Sequence, residues 1–145
     1  MDAVARLAAI EAIKIVKANY FLGVDTKDWD LLRREVFCEQ SRFDLPEYDD
    51  ASFVGGDAIV DFFRGAMSNW VTVHHGHMPI IEITSDTTAT GIWAMEDRIY
   101  GSPGEDISSI HGFGHYHETY VKLAQGWRIG RFKLERLRVE TGRLF

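Results

Sequence analysis

Apolar positions recur every three to four residues in the first part of the chain and every second residue in the last half. Over residues 3–22, strong helix formers carry Ile10, Ile13, Val16 and Tyr20 on one stripe, which predicts a long helix ending at Gly23. Asp25-Thr26-Lys27-Asp28 then reads as the capping segment of a second helix that turns Trp29, Leu32 and Val36 inward, so that the two form a hairpin. Residues 39–54, with Pro46, read as a short strand plus loop. Gly55-Gly56-Asp57 opens a third helix whose Ile59, Phe62, Phe63, Ala66 and Met67 make one apolar face. Beyond Asn69 the period drops to two, with β-rich runs at 71–84, 87–99, 110–123 and 127–139. The expected fold is α+β: three N-terminal helices cover one face of a curved antiparallel sheet, in one domain spanning residues 1–145.

Composition narrows the functions. Hydrophobic residues at 46% exclude a disordered chain. Sixteen Lys and Arg against 22 Asp and Glu give a net charge of -6, which repels nucleic-acid phosphates and anionic lipid, so neither nucleic acid nor membrane is expected as a partner. One cysteine, Cys38, excludes an intrachain disulfide. With no leader-like segment and no apolar run long enough for a membrane span, a cytoplasmic setting is expected.

The candidate chemistry lies mainly on the strands. All six histidines fall in two clusters, His74, His75 and His77 on one strand and His111, His115 and His117 on another. Imidazole acts as an acid or base near neutrality and as a metal ligand, so clustered strand histidines point to a site, with ordinary hydrogen-bonded sheet histidines as the alternative. Period two places Trp93, Met95, Asp97 and Ile99 on one apolar face and turns Asp97 inward. A buried carboxylate needs a partner, either a histidine or an arginine such as Arg136 or Arg138. Tyr20 sits on the apolar stripe of the first helix, where its hydroxyl needs a partner inside the protein. Asp25, three residues ahead of Asp28, fits a helix N-cap, with catalysis as the alternative. Gly112-Phe113-Gly114 lies inside a strand and reads as a bend or bulge, not a phosphate loop.

The order of YFLGVDTKDWDLL, GGDAIVDFF, VHHGHMPIIEI, TATGIWAMED and GFGHYHETYVKLAQGWRIGRFKLERLRV resembles the SnoaL-like group of the nuclear transport factor 2-like superfamily, which includes scytalone dehydratase, bile-acid 7α-dehydratase and ketosteroid isomerase. The resemblance implies a cone-shaped half-barrel sheet wrapped by three helices around an apolar pocket. It also implies a catalytic set of Tyr20, Asp25, His74 and Asp97, and a substrate wall to which Trp93, Tyr116, His115, His117 and Arg136 are assigned. Tyr48 is a weaker counterpart of a further family tyrosine. Simple alternation instead turns His75 and His77 inward with Val71, Val73, Ile81 and Ile83; a bulge at Gly76 or Pro79 would reconcile the two.

The expected function is that of a cofactor-independent dehydratase or isomerase using histidine acid–base catalysis on a small apolar cyclic, steroid- or polyketide-like substrate. A non-catalytic binding or oligomerisation module is the first alternative. A metal site built from His115, His117 and a histidine of the first cluster is the second. Uncovered sheet surface points to a homodimer or homotrimer.

Overall fold

The computed structural model describes residues 1–46 and 50–144. Helix α1, Ala3–Thr26, is capped by the Asp2 carboxylate, which accepts from the Ala5 amide at 2.8 Å. It buries Ala9, Ile13, Val16, Lys17, Tyr20, Gly23 and Val24 along one stripe. The helix passes through Gly23 instead of ending there, because Leu32 packs against that position: a Cβ on Gly23 would meet Leu32 Cδ2 at 2.6 Å. Lys27, with φ of 62°, closes the helix in the left-handed conformation. The extension puts Asp25 in the last turn of α1. Asp28, not Asp25, caps the next helical turn, α2 at Trp29–Leu31, accepting from the Leu31 amide at 2.9 Å. A wider π turn at Leu32–Val36 follows and buries Leu32 and Val36.

Two short strands, β1 at Arg42–Leu45 and β2 at Ala51–Val54, occupy the region read as one strand plus loop. Helix α3, Gly56–Met67, buries Ile59, Val60 and Phe63 as its periodicity requires. The long strands are β3 at Val71–Ile83, β4 at Thr88–Tyr100, β5 at Ser109–Leu123 and β6 at Gly126–Gly142. They form one curved, unclosed sheet in the order β2-β1-β6-β5-β4-β3, antiparallel except where β1 runs parallel to β6. Aromatic rings line its inner face, with Phe43 of β1 stacked on Phe132 of β6 at 4.2 Å, and tie α3 to it, with Phe62 stacked on Phe53 of β2 at 4.2 Å. Among the described residues, no helix is long and apolar enough to cross a membrane.

Three register shifts bend the long strands, and bulges of this kind increase local twist. The shift between Gly76 and Pro79 corrects the plain alternation reading of β3. On its N-terminal side Thr72 and His74 are buried while Val71, Val73, His75 and His77 are exposed. Beyond the shift, Ile81 and Ile83 return to the inner face and pack on the core.

Candidate active site

A cavity of about 200 Å³ opens between the inner sheet face and α1 and α3. Its wall is mostly apolar, with Phe62, Phe63, Met67 and Trp70 on and just after α3. Besides the Trp70 indole, five side chains bring polar groups to it: Tyr20, His74, Asp97, Tyr116 and Arg136.

His74 is tied to the end of α1. Its Nδ1 lies 2.6 Å from Asp25 Oδ1, and its backbone N–H donates to Asp25 Oδ2 at 2.9 Å. The Thr72 hydroxyl donates to Asp25 Oδ1 at 3.0 Å, while the Lys27 ammonium donates to that hydroxyl at 2.8 Å and to the Val24 carbonyl at 3.1 Å. Burial lowers the Lys27 ammonium from its ordinary range, and Asp25 opposes the shift. A carboxylate only accepts, so Nδ1 carries the proton toward Asp25, and in the neutral imidazole Nε2 keeps its lone pair; the side chain lines the cavity. The arrangement suits a base whose tautomer is fixed by its carboxylate partner.

Asp97 points inward, but its partner is Arg136. The guanidinium meets it in a two-pronged contact of 3.0 and 2.7 Å, so of the expected partners an arginine, not a histidine, satisfies this carboxylate. Gly112 is the reason the arginine arrives. It pairs with Asp97 across β4 and β5, and a Cβ there would fall 1.6 Å from Arg136 Nη1 and 2.4 Å from Asp97 Oδ1. The other claimant, Arg138, is exposed and pairs with Glu140 at 2.7 Å. His74 and Asp97 are direct neighbours across β3 and β4, so the His74–Asp25 and Asp97–Arg136 pairs stand side by side.

Tyr20 and Tyr116 are buried with ring centroids 5.8 Å apart, and both side chains line the cavity. Burial pushes both phenols well above their ordinary range, so they are neutral hydrogen-bond donors at physiological pH.

Three assigned wall residues lie elsewhere. Trp93 is on the inner face but outside the cavity lining, its indole N–H donating to the Tyr120 hydroxyl at 2.8 Å. His115 and His117 face the outer side of the sheet, opposite to Tyr116, and His117 pairs with Glu135 at 3.2 Å. On this strand the inward parity belongs to Gly112, Gly114, Tyr116, Glu118 and Tyr120. His74 and the His115/His117 pair are therefore on opposite faces, and no group of three or more His, Cys, Asp or Glu among the described residues is placed to hold a metal ion. Tyr48 lies outside the described residues.

The sequence reading passed over Lys17 and Glu118, which form a fully buried ion pair beneath Tyr116. The signal was present. Lys17 stands four residues after Ile13 and three before Tyr20 on the helix stripe, and Glu118 alternates with Tyr116 and Tyr120.

Comparison with known proteins agrees with this architecture. The SnoaL-like domain family matches residues 5–133. A probable cyclase of Gibberella zeae is 26% identical over 141 residues, covering 89% of this chain and 91% of its own. Among solved structures, a type 2 hexachlorocyclohexane dehydrochlorinase (LinA) superposes with a TM-score of 0.86 at 18% identity, covering 99% of this chain and 97% of its own. An NTF2-like superfamily protein of Salmonella enterica superposes with a TM-score of 0.78 at 17% identity, covering 94% and 96% respectively.

Proposed function

The chain belongs to the SnoaL-like domain family, and from that premise we propose that it is a cofactor-independent lyase that eliminates water from a small, mostly apolar cyclic carbonyl compound. The observation that carries the reading is the 2.6 Å contact between Asp25 and His74 Nδ1, which leaves Nε2 as a base in an apolar cavity. Nε2 takes the proton α to the carbonyl, and the C–H electron pair passes into the enolate. Tyr20, backed by Tyr116, donates to the enolate oxygen, where negative charge develops. The Asp25 carboxylate stabilises the imidazolium. When the enolate collapses, the β-hydroxyl departs with the proton from Nε2 as water, and His74 returns to its starting state. Asp97 acts on Arg136 and not on the histidine, holding the guanidinium in the substrate wall.

Elimination is favoured over isomerisation by the likeness to a protein named as a dehydrochlorinase. The cavity of about 200 Å³ favours a one-ring substrate over a steroid, since an apolar cavity of roughly 150 Å³ accommodates benzene.

The test is enone formation from 3-hydroxycyclohexanone, followed by the absorbance of the conjugated product. Wild type and His75→Ala are expected to accelerate it, and His74→Ala to lose about 10²–10⁴-fold in rate. Full activity in His74→Ala with loss in His75→Ala or His77→Ala, or no acceleration by the wild type of a β-hydroxyketone it binds, contradicts the proposal.

A further inference from the structure

Behind the cavity the chain buries a set of charges that the chemistry above does not use. The Lys17 and Glu118 side chains are both fully shielded from solvent. The Lys17 ammonium donates to one Glu118 oxygen, the Tyr120 hydroxyl donates to the other, and the Trp93 indole donates to that hydroxyl at 2.8 Å. The ammonium also hangs over three rings, 3.4 Å from the centroid of Tyr116, 4.4 Å from Tyr20 and 4.9 Å from Phe21.

A buried ion pair is a poor device for stability, because apolar residues of similar volume commonly do as well. Its geometry here has a directed consequence. A cation on the face of a phenol ring is attracted to the π electrons, withdraws density from the ring, and makes the hydroxyl a stronger donor, with little solvent to screen the effect. The phenol nearest the cation is that of Tyr116, which lines the cavity beside Tyr20; Tyr20 also lies under the ammonium, where the Glu118 carboxylate acts against it.

We infer that Lys17 is a positioning residue that polarises the Tyr116–Tyr20 hydroxyl pair toward an oxyanion in the cavity, and that Glu118, anchored by Tyr120 and Trp93, holds the ammonium against the ring. The inference rests on the reading of Tyr20 as the oxyanion donor. Burial pushes the Lys17 ammonium down to about 8 while Glu118 acts in the opposite direction, so the cation persists at neutral pH.

The experiment needs no turnover. 4-Nitrophenol, whose phenol and phenolate forms absorb differently, is titrated while bound, with nitrobenzene as a neutral probe of similar size. The wild type is expected to bind the phenolate in preference to the phenol. The Lys17→Met/Glu118→Gln variant, which leaves no buried charge unpaired, is expected to lose about tenfold of that preference, one pKa unit of the bound probe, with nitrobenzene affinity unchanged. Lys17→Arg, which keeps a cation, is expected to retain part of it.

A wild-type preference that survives intact in the double variant overturns the role of Lys17 alone, as does an equal loss of affinity for both probes, which is what a purely structural pair would give. No wild-type preference removes the Tyr20 donor and both readings with it. Should the double variant not fold, Tyr116→Phe is read with the same probes. An undiminished phenolate preference there shows that the phenol nearest the ammonium carries none of the effect and overturns the inference.

Discussion

Replacing Gly112 by alanine should cost far more than adding a methyl group to a strand. The new Cβ would lie 1.6 Å from Arg136 Nη1, 2.9 Å from its Cζ and 2.4 Å from Asp97 Oδ1. The guanidinium is the far end of a flexible chain, so it moves before the backbone does. Relieving the clash takes more than an ångström, enough to break the contacts of 3.0 and 2.7 Å. The penalty is therefore not steric strain but the separation of the pair, with the Asp97 side chain only 1% exposed. Removing one partner from a buried ion pair costs about 3–5 kcal/mol, a large share of the roughly 5–15 kcal/mol that stabilises a domain. Urea denaturation reads this directly: with a slope of about 2 kcal/mol per M, a loss of about 3 kcal/mol lowers the midpoint by about 1.5 M. In an Asp97→Leu/Arg136→Leu background, where no pair exists to break, the same alanine should cost less than about 1 kcal/mol. A midpoint for Gly112→Ala within roughly 0.3 M of wild type, or an equal loss in both backgrounds, would refute the reasoning.

Two further outcomes follow from the charges and exposed faces of the fold. Burial alone would raise the Asp44 carboxyl, but hydrogen bonds from Arg42, Ser52 and Arg131 hold it below its ordinary 3.8. Its stabilisation is thus complete above that value and lost as pH falls through the lower folded-state value. The gap in urea midpoint between wild type and Asp44→Asn should close in acid, and a gap independent of pH would contradict this. Val71, Met78, Ile80 and Leu137 are 65%, 92%, 71% and 76% exposed. Light scattering is therefore expected to give a homodimer or homotrimer, and a mass of 16.5 kDa at micromolar concentration would contradict that expectation.

Periodicity alone located much of this molecule. It placed the three helices, the four long strands and the inward turn of Asp97, because helix and strand each impose one spacing on a buried face. It misplaced His75 and His77 because the register shift between Gly76 and Pro79 reverses parity within a single strand. His115 and His117 were assigned to the cavity wall by resemblance, against the parity that Tyr116 and Tyr120 set on β5, and the structure turns them to the outer face. Asp25 looked like a cap because Gly23 looked like a helix end. The close packing of Leu32 on that glycine is a tertiary contact with no local signature. The pairing of Asp97 with Arg136 was legible only as one of three options, beside a histidine and Arg138, since it depends on the arginine passing over Gly112, residues far apart in sequence.

In the proposed mechanism His74, with its tautomer fixed by Asp25, acts as the base in an apolar cavity. Hydrogen–deuterium exchange at the α carbon of cyclohexanone in D₂O, followed by proton NMR, isolates the proton-removal step from any leaving group. The wild type and His75→Ala are expected to accelerate exchange, and His74→Ala to lose about 10²–10⁴-fold of that acceleration. Exchange as fast in His74→Ala as in the wild type would contradict that mechanism.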